Sequence, residues 1–309
     1  MIYLRTNSSS PFFIVGPTGV GKSSFSIELA CQLDGEIIGA DAFQLYQGLP
    51  LLTAQPSQKQ QFVVPHHLIG VLSPTEACDA VRYRALALPV IDEIISRHHL
   101  PIVTGGTGFY LRALISSLDP LPPADPLLRA ELAQKSHEEL IAHLIRIDPA
   151  ALPQIDSKNR RRVERVIEII TQTEEPLSQV WQKKKELSAK IPPPFGLFLL
   201  RDRDDLHRRI EANVHMMFDQ GVVNEIANFD NIQMSSTASM ALGLREIRAY
   251  CRGEQTLEET KNAIILATKR YAKRQITWFK NQHSFPYLNL SQFSSIEEAI
   301  PAALQLLQK

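Results

Sequence analysis

The eight residues Gly16-Pro17-Thr18-Gly19-Val20-Gly21-Lys22-Ser23 constrain the fold of this chain more than any other segment. They match G-x-x-x-x-G-K-[ST], the P-loop pattern, and they lie where that pattern has to lie. Before them runs Pro11-Phe12-Phe13-Ile14-Val15, apolar and rich in strand formers; after them, Phe25, Leu29 and Leu33 fall at helical spacing within Ser24 to Leu33. In such a strand-loop-helix unit the glycines let backbone N–H groups curl round phosphate oxygens. Lys22 supplies a point charge, the Ser23 hydroxyl can hold Mg²⁺, and the start of the helix adds its dipole. The residues expected to cradle a di- or triphosphate are Gly16, Thr18, Gly19, Val20, Gly21, Lys22 and Ser23.

The rest of the chain continues the alternation. Glu36 to Ala40 reads as a second strand, Ala77 to Ser96 as a helix, and Leu100 to Thr104 as a buried strand ahead of Gly105-Gly106. Strands alternating with helices predict an α/β fold, a parallel sheet covered by helices on both faces. Pro120, Pro122, Pro123 and Pro126 then break the pattern, and Leu127 to Lys190 is polar and helical up to Pro192-Pro193-Pro194. These borders predict an inserted helical subdomain over 119–191, between a P-loop core at 1–118 and the remainder of the core at 192–309. In that remainder Gly196 to Leu200 reads as a returning strand, Leu206–Phe218 and Leu257–Asn281 as helices, and Tyr287 to Leu290 with Ile296 to Leu307 as a last strand and helix.

Composition narrows the setting. With 44% hydrophobic and 21% charged residues the chain has ordinary globular usage, and no apolar run reaches the ~20 residues of a membrane-spanning helix. Met1 to Ser10 has no apolar stretch of the secretory kind. Cys31, Cys78 and Cys251 are widely spaced, with no CxxC pair for zinc and no even count for a disulfide framework, which points to a reducing cytoplasm. Lys+Arg and Asp+Glu each total 33, so net charge advertises no nucleic acid. Basic residues nevertheless cluster at Arg160-Arg161-Arg162 with Arg165, at Lys183-Lys184-Lys185, at Arg201 to Arg209 and at Lys269 to Lys280. Such patches bind polyphosphate or nucleic acid, or form solvated helix faces.

Other segments carry weaker signals. Val90-Ile91-Asp92-Glu93 has the spelling of an acidic Mg²⁺-binding strand, but it continues a helical pattern from Val81 through Leu86 to Ile94, so Asp92 and Glu93 are expected on a solvated helix face. Asp41-Ala42-Phe43-Gln44-Leu45-Tyr46 and Thr104-Gly105-Gly106-Thr107-Gly108 each follow a strand, at the sheet edge where α/β proteins place their sites. Adjacent histidines such as His66-His67 point opposite ways on an extended segment and are read as structural. By itself the P-loop suggests ATP, and a small-molecule or nucleoside kinase stays open as the alternative.

Taken in order, these pieces resemble one family, the tRNA dimethylallyltransferases, and the likeness spans nearly the whole chain. It rests on GPTGVGKS at Gly16–Ser23, DAFQLY at Asp41–Tyr46, TAQP at Thr53–Pro56, PHHL at Pro65–Leu68 and GGTGFY at Gly105–Tyr110. LPPADPLLR ending at Arg129, NRRRVERVIE at Asn159–Glu168, the helix start at Arg203–Ile210 and KRQITWFK at Lys273–Lys280 complete it.

The resemblance implies a P-loop NTPase-like fold. It also implies transfer of a five-carbon dimethylallyl group from dimethylallyl diphosphate to N6 of adenine 37 in the tRNA anticodon loop, with Mg²⁺ on Ser23. Its catalytic residues would be Asp41 as general base, Thr107 near the scissile oxygen, and Arg203 beside the departing diphosphate. The tRNA would meet Asp41, Ala42, Phe43, Gln44 and Thr107 at the target adenine, and Arg129, Arg161, Arg162 and Arg165 in the insert. Gly243, Arg245, Lys273, Arg274, Gln275, Trp278 and Lys280 would meet it in the C-terminal part. The chain departs from the family pattern at Ala42, commonly Ser, at Gln55, usually Lys, and at Leu244, usually Tyr. No C-terminal zinc finger follows, as in the bacterial form, and a monomeric, cytoplasmic enzyme without a membrane partner is expected.

Overall fold

The computed structural model describes residues 10–115, 121–122, 125–188, 194–282 and 285–307. Residues 1–9, Pro120, Pro123, Pro192 and Pro193 of the expected borders, and the side chains of Lys184 and Lys185 lie outside them. Contacts divide the chain into two compact units, one made of 1–114 with 194–309 and the other of 115–193.

The larger unit is built on a six-stranded sheet. Its strands are β1 (Phe12–Val15), β2 (Gly35–Gly39), β3 (His66–His67), β4 (Leu100–Gly105), β5 (Phe195–Leu200) and β6 (Tyr287–Asn289), in the spatial order β3-β2-β4-β1-β5-β6. Every pairing is parallel, with Phe12 opposite both Ile102 and Phe195 in the centre. All four side chains of β1, a continuous apolar run, are buried, as a sheet covered on both faces requires, and all five residues of β2 are buried with them, Glu36 included. The helices of this unit are α1 (Lys22–Leu33), α2 (Gln58–Val63), α3 (Ala80–Ser96) and α4 (Gly108–Ile115) before the insert. After the four helices of the insert, α5 (Pro126–Ala133), α6 (His137–Ile147), α7 (Arg160–Thr173) and α8 (Leu177–Ser188), come α9 (Arg203–Asp219), α10 (Val222–Ala227), α11 (Leu244–Cys251), α12 (Leu257–Gln282) and α13 (Ile296–Leu306).

Phe25 and Leu29 of α1 pack with Phe12, Ile14, Ile102 and Leu197 in one core. Phe25 is fully buried, so its truncation to Ala would cost about 3–5 kcal/mol. The acidic spelling in Val90-Ile91-Asp92-Glu93 falls inside α3, where Ile91 and Ile94 are buried while Asp92 and Glu93 face solvent. His66 and His67 form β3; His67 Nε2 hydrogen-bonds Glu36 at 2.7 Å. Among the described residues no group of three or more His, Cys, Asp or Glu is arranged to hold a metal, and no helix is long and apolar enough to cross a membrane.

The smaller unit holds α5 (Pro126–Ala133), α6 (His137–Ile147), α7 (Arg160–Thr173) and α8 (Leu177–Ser188). Leu132, Leu140, Leu144, Val163, Ile167 and Leu177 make its core. A capping box, Ser136 with Glu139, starts α6 and satisfies the first-turn amides.

Candidate active site

Four strand ends converge at the C-terminal edge of the sheet. The P-loop follows β1, Asp41 follows β2, Gly106 and Thr107 follow β4, and Arg201 follows β5. In the P-loop Gly19 and Gly21 have φ of 80° and 104°, left-handed values that glycine adopts without strain. Gly21 caps α1 with no side-chain hydrogen bond, so the first-turn amides of α1 remain open to an anion. Lys22 Nζ donates to the carbonyls of Gly16 at 3.0 Å and Pro17 at 2.9 Å. Burial pushes its ammonium down to about 8, against the raising influence of Asp41.

Lys22, Ser23, Asp41, Gln44, Thr104 and Arg209 share one polar pocket. Asp41 Oδ1 accepts the N–H groups of Phe43 at 2.9 Å and Gln44 at 3.4 Å, a local turn that fixes the carboxylate. Thr107 Oγ1 accepts the Ala42 N–H at 2.9 Å, so the backbone amide at Ala42 is held from the neighbouring loop. Gln44 Nε2 donates to the carbonyls of Thr53 and Ala54 at 3.1 and 2.9 Å. Gln55, one of the departures, pins the same turn by donating to Gln44 O and Tyr46 O. The hydroxyls of Ser23 and Thr104 line this pocket as hard oxygen donors, the kind Mg²⁺ takes together with phosphate oxygens, and Thr104 Oγ1 also accepts from Ser26 Oγ at 2.9 Å.

Beside this pocket lies a more apolar one of about 120 Å³. Thr18, Gly19, Asp41, Thr53, Ala54 and Asn213 line both. Leu51, Leu52, Ile210, Val214, Met217 and Ile264 supply much of its apolar wall, and Phe43 and Tyr271 face it as well.

Several residues fall elsewhere than expected. Arg203 does not line the P-loop pocket; it faces a separate cavity of about 730 Å³, with His207, Lys269, Lys273 and Lys280. The guanidiniums at the P-loop are Arg209, whose Nε donates to Gly19 O at 3.1 Å, and Arg201, whose Nε donates to Val20 O at 2.8 Å. Burial and the Arg201 charge lower the Arg209 pKa. The reason is helical register: Leu206 and Ile210 pack on Gly19, which turns Arg209 toward the loop, whereas Arg203 stands at the helix start. Gln275, expected on tRNA, is 5% exposed and holds protein backbone on both sides. Trp278 is half-buried and lies over Gly108, near Phe109 and Phe279.

Lys273, Arg274 and Lys280 are exposed on α12, and Arg245 is exposed beside Glu246. Gly243 has a φ of 91° at the start of α11, and Leu244, another departure, is buried. In the smaller unit Arg161 and Arg162 are exposed, whereas Arg129 and Arg165 are bound to Glu168 at 3.0 and 2.6 Å. Burial would raise the Glu168 pKa, but hydrogen bonds from Arg165, the Asp125 amide and Arg129 outweigh it and lower it.

Sequence reasoning missed Tyr271. Burial, first, and the Asp41 charge raise the pKa of its phenol, which lines the pocket beside Asp41. The signal was the i, i+4 spacing of Tyr271 and Gln275, which puts both on one face of α12.

Fold and site together define a P-loop NTPase-like α/β protein whose phosphate cradle looks onto a carboxylate. The chain belongs to the IPP transferase family, whose model matches residues 44–282. It is 38% identical over 297 residues to the tRNA dimethylallyltransferase of Acetivibrio thermocellus, covering 93% of this chain and 94% of that one. Among solved structures it is similar to the tRNA isopentenylpyrophosphate transferase of Bacillus halodurans, with TM-score 0.70 and 30% identity over 97% of each chain. It also shares its fold with a eukaryotic dimethylallyltransferase acting on tRNA, with TM-score 0.79 and 24% identity over 96% of this chain and 78% of that one.

Proposed function

We propose that this chain transfers the dimethylallyl group of dimethylallyl diphosphate to N6 of adenine 37 in the tRNA anticodon loop. It is a tRNA dimethylallyltransferase by family. The observation that carries the finer reading is the junction of two pockets at Asp41: a phosphate cradle on one side and a small apolar cavity of about 120 Å³ on the other. A diphosphate ester with a short hydrocarbon tail matches that division.

In the proposed reaction the adenine leaves the loop stack, at a cost of a few kcal/mol that protein contacts offset. Its amine attacks C1 of the allyl group, the N6–C1 bond forms, and the C1–O bond breaks with its electron pair leaving on the diphosphate. Asp41 takes the proton that N6 loses. Lys22, the open amides of α1 and Arg209 stabilise the charge on the departing group; Arg209 takes the part that the resemblance gave to Arg203. Gln44, with its Nε2 tied to Thr53 and Ala54, offers Oε1 to the adenine edge. Thr107 keeps the Asp41 turn in register through the Ala42 amide. Mg²⁺ belongs to the proposal: Ser23, with Thr104 at hand, would hold it, and bound there it would draw charge from the diphosphate oxygens, which leaves Asp41 to the proton.

On the RNA side, the exposed Arg161, Arg162, Arg245, Lys273, Arg274 and Lys280 are proposed to meet phosphates. The enzyme is proposed to act as a single chain in the cytoplasm. Incubation with unmodified tRNA and labelled dimethylallyl diphosphate tests this. Label is expected in the RNA, while transfer of the γ-phosphate of ATP to a small acceptor would reject it in favour of a kinase.

A further inference from the structure

Helix α12 presents Lys273, Arg274 and Lys280 to solvent, yet Gln275 within the same stretch is buried. Both ends of its amide are engaged: Oε1 accepts the Thr18 N–H at 2.8 Å, and Nε2 donates to the Gly106 carbonyl at 2.9 Å. The Pro17–Thr18 peptide is thereby gripped twice, since its carbonyl accepts from Lys22 Nζ at 2.9 Å while its N–H goes to Gln275. A trans peptide is rigid and planar, so holding its two ends fixes the plane. On the other side, Gly106 precedes Thr107, whose hydroxyl holds the Ala42 amide next to Asp41. A Cβ at position 106 would stand 2.2 Å from Gln275 Nε2, so glycine is what lets the side chain through.

An uncharged side chain that accepts from one backbone group and donates to another is what this gap demands, and the amide of Gln supplies both. A leucine there would leave the buried Gly106 carbonyl and the part-buried Thr18 N–H without their partners at once. We infer that Gln275 is a positioning residue that ties the phosphate-binding loop to the Gly106–Thr107 turn. It sets the diphosphate half of the site against the Asp41 half, and its amide is not a tRNA contact. The inference rests on the proposed function only for the names of the substrates.

The test uses Gln275→Leu, Gly106→Ala and the double variant, each checked by circular dichroism. Binding of inorganic diphosphate is read by calorimetry, tRNA binding by filter retention, and transfer by steady-state kinetics. Each single variant is expected to weaken diphosphate binding, and to lower kcat/KM for dimethylallyl diphosphate, by about tenfold to a hundredfold, with tRNA affinity within about twofold of the parent. Both act chiefly through the Gln275 amide, so the double variant is expected to lose about as much as the more damaging single, well short of the sum of the two. Diphosphate binding unchanged with tRNA affinity down about tenfold in Gln275→Leu would overturn the inference. So would losses that add in the double variant. The calorimetry needs no prenyl transfer, so failure of the proposed reaction would leave it readable.

Discussion

Replacing Asp41 with Asn isolates the chemistry from the architecture. Asn retains Oδ1 and so keeps accepting the Phe43 and Gln44 amides, which in the parent lie at 2.9 and 3.4 Å, and the turn stays closed. What disappears is the capacity to take a proton, together with a negative charge that now raises the Lys22 pKa. General-base catalysis contributes about 10²–10⁴-fold, so the chemical step of Asp41→Asn is expected to fall by that factor, about 3–5 kcal/mol in barrier. Asp41→Ala adds the loss of the turn, worth about 0.5–1.5 kcal/mol of stability per bond. Single-turnover transfer to saturating tRNA, with tRNA affinity measured alongside, separates the two effects. An Asn variant within about tenfold of the parent rate, or one whose tRNA affinity falls as far as its rate, would refute the general-base role.

Further outcomes follow from the same geometry. Arg209→Ala is expected to weaken inorganic diphosphate binding by about tenfold or more in calorimetry, because Arg209 lines the P-loop pocket, and Arg203→Ala by less than about threefold. Glu36 is buried among Arg97, His67 and His99; burial alone would raise its pKa, but hydrogen bonds from these three outweigh it and hold it at about 2, below the usual 4.5. The stability it contributes is therefore complete above about pH 4.5 and is lost as pH falls toward 2; acid unfolding of Glu36→Gln should lack that phase. Filter-binding titrations over salt should show tRNA affinity falling steeply if exposed Arg161, Arg162 and Lys273 touch phosphates, and a flat response would exclude them.

Local signals in the sequence located the sheet and the P-loop. A glycine-rich loop between an apolar run and a helical pattern depends on neighbouring residues alone, and Asp92 and Glu93 are legible as helical because Ile91 and Ile94 keep the period. Arg209 could not be separated from Arg203 in that way. Both belong to one helix, and only the packing of Leu206 and Ile210 on Gly19 decides which of them faces the phosphate loop. The same holds for Gln275, whose partners Thr18 and Gly106 are far away in sequence. Glu168 escaped notice because a carboxylate amid arginines reads as a solvated pair, and its burial emerges only when α5 and α7 pack. Strand β3, two residues long, is shorter than any period can reveal.

Alkyl transfer to one adenine yields an alkylated base and a free diphosphate in equal amounts, so both are read in one assay. Unmodified tRNA is incubated with enzyme, dimethylallyl diphosphate and Mg²⁺, the RNA is digested and each fragment weighed, and inorganic diphosphate is counted. One dimethylallyl group is expected on N6 of adenine 37 for each diphosphate released. Diphosphate released with no alkylated adenine, or an alkyl group on another base, would contradict it.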